Sequence, residues 1–356
     1  MNTVYIVDIE AVDTRYTKQW KEHLPDQLQR ALVQDTAILA EVEVISGGDV
    51  PQATTPGAFL NFGGTNVYKS NQLQQIATLF CEGKVHDGDY FLYTDAWNPT
   101  VIQLRYMAEL LGVDIRIGGL WHAGSYDPQD FLGRLIGDKP WVRHAEQSMY
   151  ECYDDNFFAS QFHINMFSKA FTTQQDKIKR VGWPMEYIKT GLEQYKGMEK
   201  RDLILFPHRI APEKQPEIFR DLAESMPEYE FVMCQEQELS KVEYHNLLGE
   251  AKLVFSANLQ ETLGISWYEG AVVGALPMVP QRLSYIEMAE SEFAYPSVWT
   301  ESFDKYLQHK KHIMRFIKDY MENYTQFLPA LHKQVKKLET DFFSGQQLYS
   351  EIKDGI

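Results

Sequence analysis

Cysteine is scarce in this chain: three in 356 residues, at Cys81, Cys152 and Cys234, far apart and without paired spacing. That excludes a disulfide framework and a cysteine-based zinc site, and it suits a reducing compartment. Basic charge is also short, with 34 Lys and Arg against 50 Asp and Glu, a formal net charge of -16. A uniformly basic nucleic-acid coat is thereby excluded, although one local basic groove is not. No apolar run approaches a membrane span. The opening "MNTVYIVDIEAVD" reads directly as a strand and lacks the regions of a signal peptide. These shortages predict a soluble, cytoplasmic protein without membrane partners.

What is present is an alternation of short apolar runs with helical patterns. "TVYIVDI", "AEVEVISG", "AFLNFGG", "DYFLYTD", "VDIRIGGLW", "DNFFAS" and "IKRVGW" read as strands, with helices such as "KQWKEHLPDQLQRALV" and "SNQLQQIATLFCEG" between them. Most strand runs are continuously apolar, the pattern of a parallel sheet covered on both faces. "YIKTGLEQYKGMEKRD" is polar and reads as a linker. The alternation then restarts with "LILFPHR", "YEFVMC", "KLVFSAN" and "LPMVP". From about Thr300 the chain is helical, with a break at Pro329. The expected fold class is α/β, two doubly wound Rossmann-like domains facing across a cleft. Their expected spans are 1–185 and 186–300, with helices at 301–356 packing back across the interdomain region. Ligands in such sheets bind beyond the carboxyl ends of the strands, so informative residues should follow strands.

Two strand ends in the second half carry such residues. After "LILFP" comes "HRIAPEKQP", where Arg209 and Lys214 bracket a loop that ends at a helix start. Two cations beside a helix N-terminus suit a diphosphate; a solvated surface pair is the plainer reading. After "KLVFS" comes "ANLQETLGISWYE". Gly264 opens a helix whose free N–H groups suit phosphate. Glu261 lies in the loop and Glu269 two turns into the helix. A carboxylate accepts two hydrogen bonds from a vicinal diol, so one acid suits a ribose and the other a sugar. The plainer reading makes Glu261 a capping acid and Glu269 a surface residue.

In order, these features resemble the GT-B glycosyltransferases, specifically the retaining family 4 type. That family carries an Arg-and-Lys loop, G-R-x-x-x-x-K-G, matched here by Arg209 and Lys214, with His208 and Gln215 in place of the glycines. Its E-x7-E motif is matched in "ETLGISWYEGAVVGALPMV" by Glu261, Gly264, Glu269, Gly274 and Pro277. Fainter likenesses run through the first half: "GDYFLYTDAWNP", "IRIGGLWHAGS" with His122, "YDDNFFASQF", and a hinge-like "IKRVGWPMEYI" with Gly182 and Pro184.

The resemblance implies a metal-independent, retaining transfer of a sugar from UDP- or another NDP-sugar, with no cofactor required. Arg209 and Lys214 would neutralise the diphosphate leaving group, and Glu261, Thr262, Leu263 and Gly264 would line the donor. Glu261 would face the sugar hydroxyls, Glu269 would bind the ribose, and His122 would contact the sugar or the transition state. A packed core histidine is the alternative for His122. "DD" at Asp154 and Asp155 reads as turn chemistry, not as a metal motif. "EAVDTRYTKQW" replaces the family's Gly-Gly loop, and places Asp13, Arg15 and Tyr16 on the acceptor side with Asp95 and Trp97. "NFGGTNVYKSN" adds Gly63, Gly64, Asn61, Asn66 and Lys69, or else forms a turn with a helix cap at Ser70.

The acceptor is the least legible part. A terse chain without lipid-binding helices resembles phage DNA-modifying glycosyltransferases, which act on a hydroxymethylated pyrimidine flipped from the duplex. Basic stretches "KIKR", "QHKKHIMRFIK" and "HKQVKK" fit DNA, and the acidic balance opposes it. A phage-encoded enzyme would work in the host cytoplasm. A small-molecule or polysaccharide acceptor stands beside that expectation. So do a GT-B-type sugar-nucleotide 2-epimerase and a non-catalytic nucleotide-sugar binder.

Overall fold

A computed structural model describes residues 2–11, 16–33, 40–51, 53, 55 and 60–356. The chain divides into two compact units, residues 1–185 with 344–356, and residues 186–343.

The first unit alternates strands and helices: β1 (Asn2–Val7), α1 (Tyr16–Val33), β2 (Ala40–Ile45), α2 (Phe62–Cys81), β3 (Tyr90–Tyr93), α3 (Thr100–Leu111), β4 (Arg116–Trp121), α4 (Phe131–Leu135), α5 (Pro140–Cys152), β5 (Asp155–Phe158), α6 (Gln161–Ala170) and β6 (Ile178–Arg180). Its six strands are parallel, in the order β2-β1-β3-β4-β5-β6. Every residue of β3 is buried, as a continuous apolar run requires when helices cover both faces; β5 is buried as well, its Asp155 and Asn156 held by Arg116, Tyr90 and Trp121.

The second unit starts with α7 (Tyr187–Leu192), then β7 (Arg201–Phe206), α8 (Pro216–Ser225), β8 (Glu230–Met233), α9 (Lys241–Glu250), β9 (Ala251–Phe255), α10 (Ile265–Val272), β10 (Leu276–Pro280), α11 (Tyr285–Met288), β11 (Ala294–Tyr295), α12 (Phe303–Glu322) and α13 (Leu328–Asp341). Its parallel sheet has the order β11-β10-β9-β7-β8. The expected linker is folded: Ile188, Leu192 and Tyr195 are buried. Helices α12 and α13 complete the unit's core through Tyr306, Ile313, Ile317, Tyr320 and Leu331. Pro329 sits in the first turn of α13, where its missing N–H costs nothing. A last helix, α14 (Gln346–Asp354), belongs to the first unit and packs on α1. Among the described residues, no helix is long and apolar enough to cross a membrane.

Two local expectations fail. The strand expected at "AFLNFGG" is absent from its second half, because Phe62, Gly63 and Gly64 open α2; residues 56–59 lie outside the described residues. The cap is Asn61, whose side chain accepts from the Gly64 N–H at 2.8 Å, and not Ser70, which lies inside the helix and donates back to the Asn66 carbonyl. A side chain at Gly64 would meet the Pro51 ring at 2.6 Å, so close backbone approach, not a turn, explains that glycine. The Asp154–Asp155 pair also does more than turn the chain. Asp154 pairs with Arg105, while buried Asp155 opens β5, accepts two bonds from Arg116 and takes the Tyr90 hydroxyl.

Candidate functional site

In each sheet the strand order reverses at one place, between β1 and β3 in the first unit and between β7 and β9 in the second. Beyond the carboxyl ends of such strands the two flanking loops diverge and leave a crevice. The loops after β7 and β9 hold the candidate site.

The β7 loop carries His208, Arg209 and a 3-10 turn at Pro212–Lys214. Lys214 is buried, and its ammonium donates to the Gln260 carbonyl at 2.6 Å and lies 3.4 Å from Glu261. The Leu259 N–H donates to the Glu213 carbonyl, which ties the two loops together. Arg209 pairs with buried Glu213 at 2.5 Å and keeps a third of its side chain exposed. Gln215, where the resembled motif has glycine, adopts φ 52°, ψ 53°. A side chain in the left-handed region is strained. It is held there because the Gln215 amide donates to the carbonyls of Ala257 and Thr300.

The β9 loop is built from buried polar groups. Asn258 donates to Glu261 at 3.2 Å and to the Tyr285 hydroxyl at 3.0 Å. Its Oδ1 is buried without a partner among the described residues. The Arg282 guanidinium, after β10, donates to the carbonyls of Asn258, Ala257, Ser297 and Thr300. Neither Asn258 nor Arg282 stands out in the sequence; the only signal for either is its place after a strand.

Gly264 caps α10 with φ 81°, and a side chain there would meet the Trp267 indole nitrogen at 2.5 Å. Buried Leu263 directs its N–H toward Glu261 at 3.4 Å, and Thr262 lies between them in the same loop. Ser266, in the first turn of α10, reaches His208 at 3.4 Å. Burial, and then the charge of Lys214, push His208 down to about 3, so it is neutral. Arg209, Lys214, Glu261, Thr262, Leu263 and Gly264 therefore share one locus with the N-terminus of α10.

Glu269 stands apart, just over one turn along α10. The Tyr244 hydroxyl on α9 donates to its Oε2 at 3.0 Å. Burial raises its carboxyl to about 7, against the opposing effects of Tyr244 and Lys241. A carboxyl raised from 4.5 to about 7 holds its proton more tightly folded than unfolded. Stability from this group is therefore lost as pH rises between those values. Glu269→Gln removes the titration. The difference in Tm, wild type minus variant, is expected to fall from pH 4.5 to pH 7.5 in the unliganded protein. A difference that is flat or grows with pH contradicts the assignment.

The other candidates lie in the first unit. The His122 Nε2 is 2.6 Å from the Thr94 carbonyl, joining the ends of β4 and β3, and its ring packs on Trp183 and Trp20. Lys69 bridges Asp95 and the Trp97 carbonyl, and Asp95 accepts the Trp97 N–H. Asn61 and Asn66 are used within the start of α2. Asp13 and Arg15 lie outside the described residues, as does the side chain of Tyr16, the first residue of α1. Among the described residues, no three His, Cys, Asp or Glu side chains gather as a metal site.

No family model matches the chain, and no curated sequence does either. Solved structures do. The lipopolysaccharide outer core galactosyltransferase WaaB in its apo form aligns over 100% of both chains with a TM-score of 0.60 at 9% identity. Its fold is GT-B. Anabaena HepE in complex with UDP and glucose also aligns over 100% of both chains, with a TM-score of 0.58 at 12% identity. The pneumococcal O-GlcNAc transferase GtfA in complex with UDP and GlcNAc aligns over 81% of this chain, with a TM-score of 0.56 at 11% identity. The chain spans only 60% of the length of that transferase. At such identities the likeness is one of fold. In GT-B terms, the locus described above lies at the switch point of the second Rossmann-like unit.

Proposed function

We propose that this protein is a metal-independent glycosyltransferase that moves a sugar from a nucleotide-sugar donor to a hydroxyl of a saccharide or small molecule. The observation that carries this reading is the joining of the β7 and β9 loops. Lys214 meets Glu261 just before the N-terminus of α10, and Arg209 pairs with Glu213 on the same β7 loop, at the strand-end position where such a sheet offers a crevice.

Lys214, Arg209 and the α10 N–H groups take up the charge that grows on the departing diphosphate, the role a metal ion plays in other transferases. Glu261 is held by Lys214 and Asn258, so its carboxylate is fixed to accept hydroxyls of the donor sugar. Glu269 holds the ribose. A retaining outcome and membership of the E-x7-E type rest on the sequence resemblance.

The acceptor reading moves from DNA to a saccharide or small molecule. A net charge of -16 opposes a polyanion. The similar structures include transferases for a lipopolysaccharide core and for O-linked GlcNAc. The test combines the protein with a panel of nucleotide sugars, alone and with mono- and oligosaccharides or hydroxymethylated DNA, and follows nucleotide release and products. Saccharide-dependent release supports this reading. DNA-dependent release, conversion of the free donor sugar, or binding without turnover point respectively to a DNA-modifying transferase, an epimerase or a binder. With the donor known, Glu269→Ala is expected to raise the donor KM by about tenfold, because its contact exists before and during reaction. An unchanged KM removes Glu269 from the donor site.

A further inference from the structure

We propose that Tyr244 is a positioning residue for the donor nucleotide: it occupies one oxygen of Glu269 and presents the other to the ribose. This rests on the reading of Glu269 as the ribose-binding acid.

The geometry is specific. The Tyr244 hydroxyl donates to Glu269 Oε2 at 3.0 Å. Glu269 Oε1 takes no hydrogen bond among the described residues. The residue as a whole is partly buried. A carboxylate free to rotate can meet a vicinal diol with either or both oxygens. One pinned by a phenol meets it through a single oxygen in one orientation, with less rotamer freedom to lose on binding.

Tyr244 is itself fixed. Its helix α9 begins with a reciprocal cap in which Ser240 accepts from the Glu243 N–H while Glu243 accepts from the Ser240 N–H. Burial, and then the charge of Glu269, push the phenol well above its ordinary range, so it acts as a donor throughout the neutral range. Lys241 on α9 is the cation that acts on Glu269, and buried Cys234 at the end of β8 is pushed up to about 12 and stays a neutral thiol. The phenol therefore determines the orientation of the acid.

The test measures binding of UDP and ADP, each beside its 2′,3′-dideoxy counterpart, by calorimetry on wild type, Tyr244→Phe and Glu269→Ala. Wild type is expected to prefer the ribonucleotide. Tyr244→Phe should weaken the ribonucleotide about three- to tenfold and leave the dideoxy form unchanged, so that the preference shrinks. Equal weakening of both forms means that Tyr244 serves only the packing of α9, and overturns the proposal. So does a preference that Tyr244→Phe leaves intact while Glu269→Ala abolishes it. If Glu269→Ala keeps the wild-type preference, or if wild type binds neither ribonucleotide, the ribose reading of Glu269 falls, and this inference with it.

Discussion

Lys214→Ala is expected to lower turnover by about 30- to 1,000-fold, roughly 2–4 kcal/mol of transition-state stabilisation. In the proposed transfer, the leaving diphosphate gains negative charge as the bond from the donor sugar to it breaks. A buried ammonium already held in place by the Gln260 carbonyl and Glu261 meets that charge without reorganising. Arg209→Ala should act in the same direction and more weakly, since its side chain is a third exposed and paired with Glu213. Because Lys214 sits against Glu261, its loss leaves that acid without its cation, and part of the effect will be seen in donor binding. Initial rates at saturating donor separate the two. Turnover at the wild-type rate in both variants would sink the diphosphate assignment. Circular dichroism of Lys214→Ala checks that the fold survives.

Glu146→Ala is expected to destabilise the first unit by about 3 kcal/mol, the cost of leaving several donors without their buried acceptor. Glu146 lies on α5 and is fully buried. It accepts from the Ser125 N–H and hydroxyl at 2.7 Å, from the Trp97 indole at 2.9 Å and from Arg143 at 3.4 Å. Trp97 follows β3 and Ser125 follows β4, so one carboxylate clamps the two loops that flank His122. Alanine removes every acceptor at once and leaves the donors in a dry place. For a unit of this size the loss corresponds to roughly 6–12 °C in the calorimetric transition. A shift within about 1 °C would show that water takes over the bonds, and that the clamp is not needed.

The alternation of apolar runs and helical patterns settled the fold class, because a buried parallel strand must be apolar on both faces whatever surrounds it. "LILF" reads as it folds. The same logic failed at "AFLNFGG", where Gly63 and Gly64 suggest a strand end. What placed a helix there was the Asn61 cap and the contact with Pro51, and neither is visible in a hydrophobic pattern.

At the candidate site, Arg209, Lys214, Glu261, Gly264 and Glu269 were legible because charged residues and a glycine recur at set places after strands. Their partners were not. Tyr244, Asn258 and Arg282 are ordinary residues in sequence, on a helix or in loops. They matter through hydrogen bonds to positions 25, 3 and 24 residues away. Local sequence thus determined which groups stand at the strand ends, since that depends only on the order of elements. The tertiary structure alone decided how each group is held and how its charge behaves. Burial and hydrogen-bond geometry are properties of neighbours that folding brings together, and they set His208 neutral and Glu269 near 7.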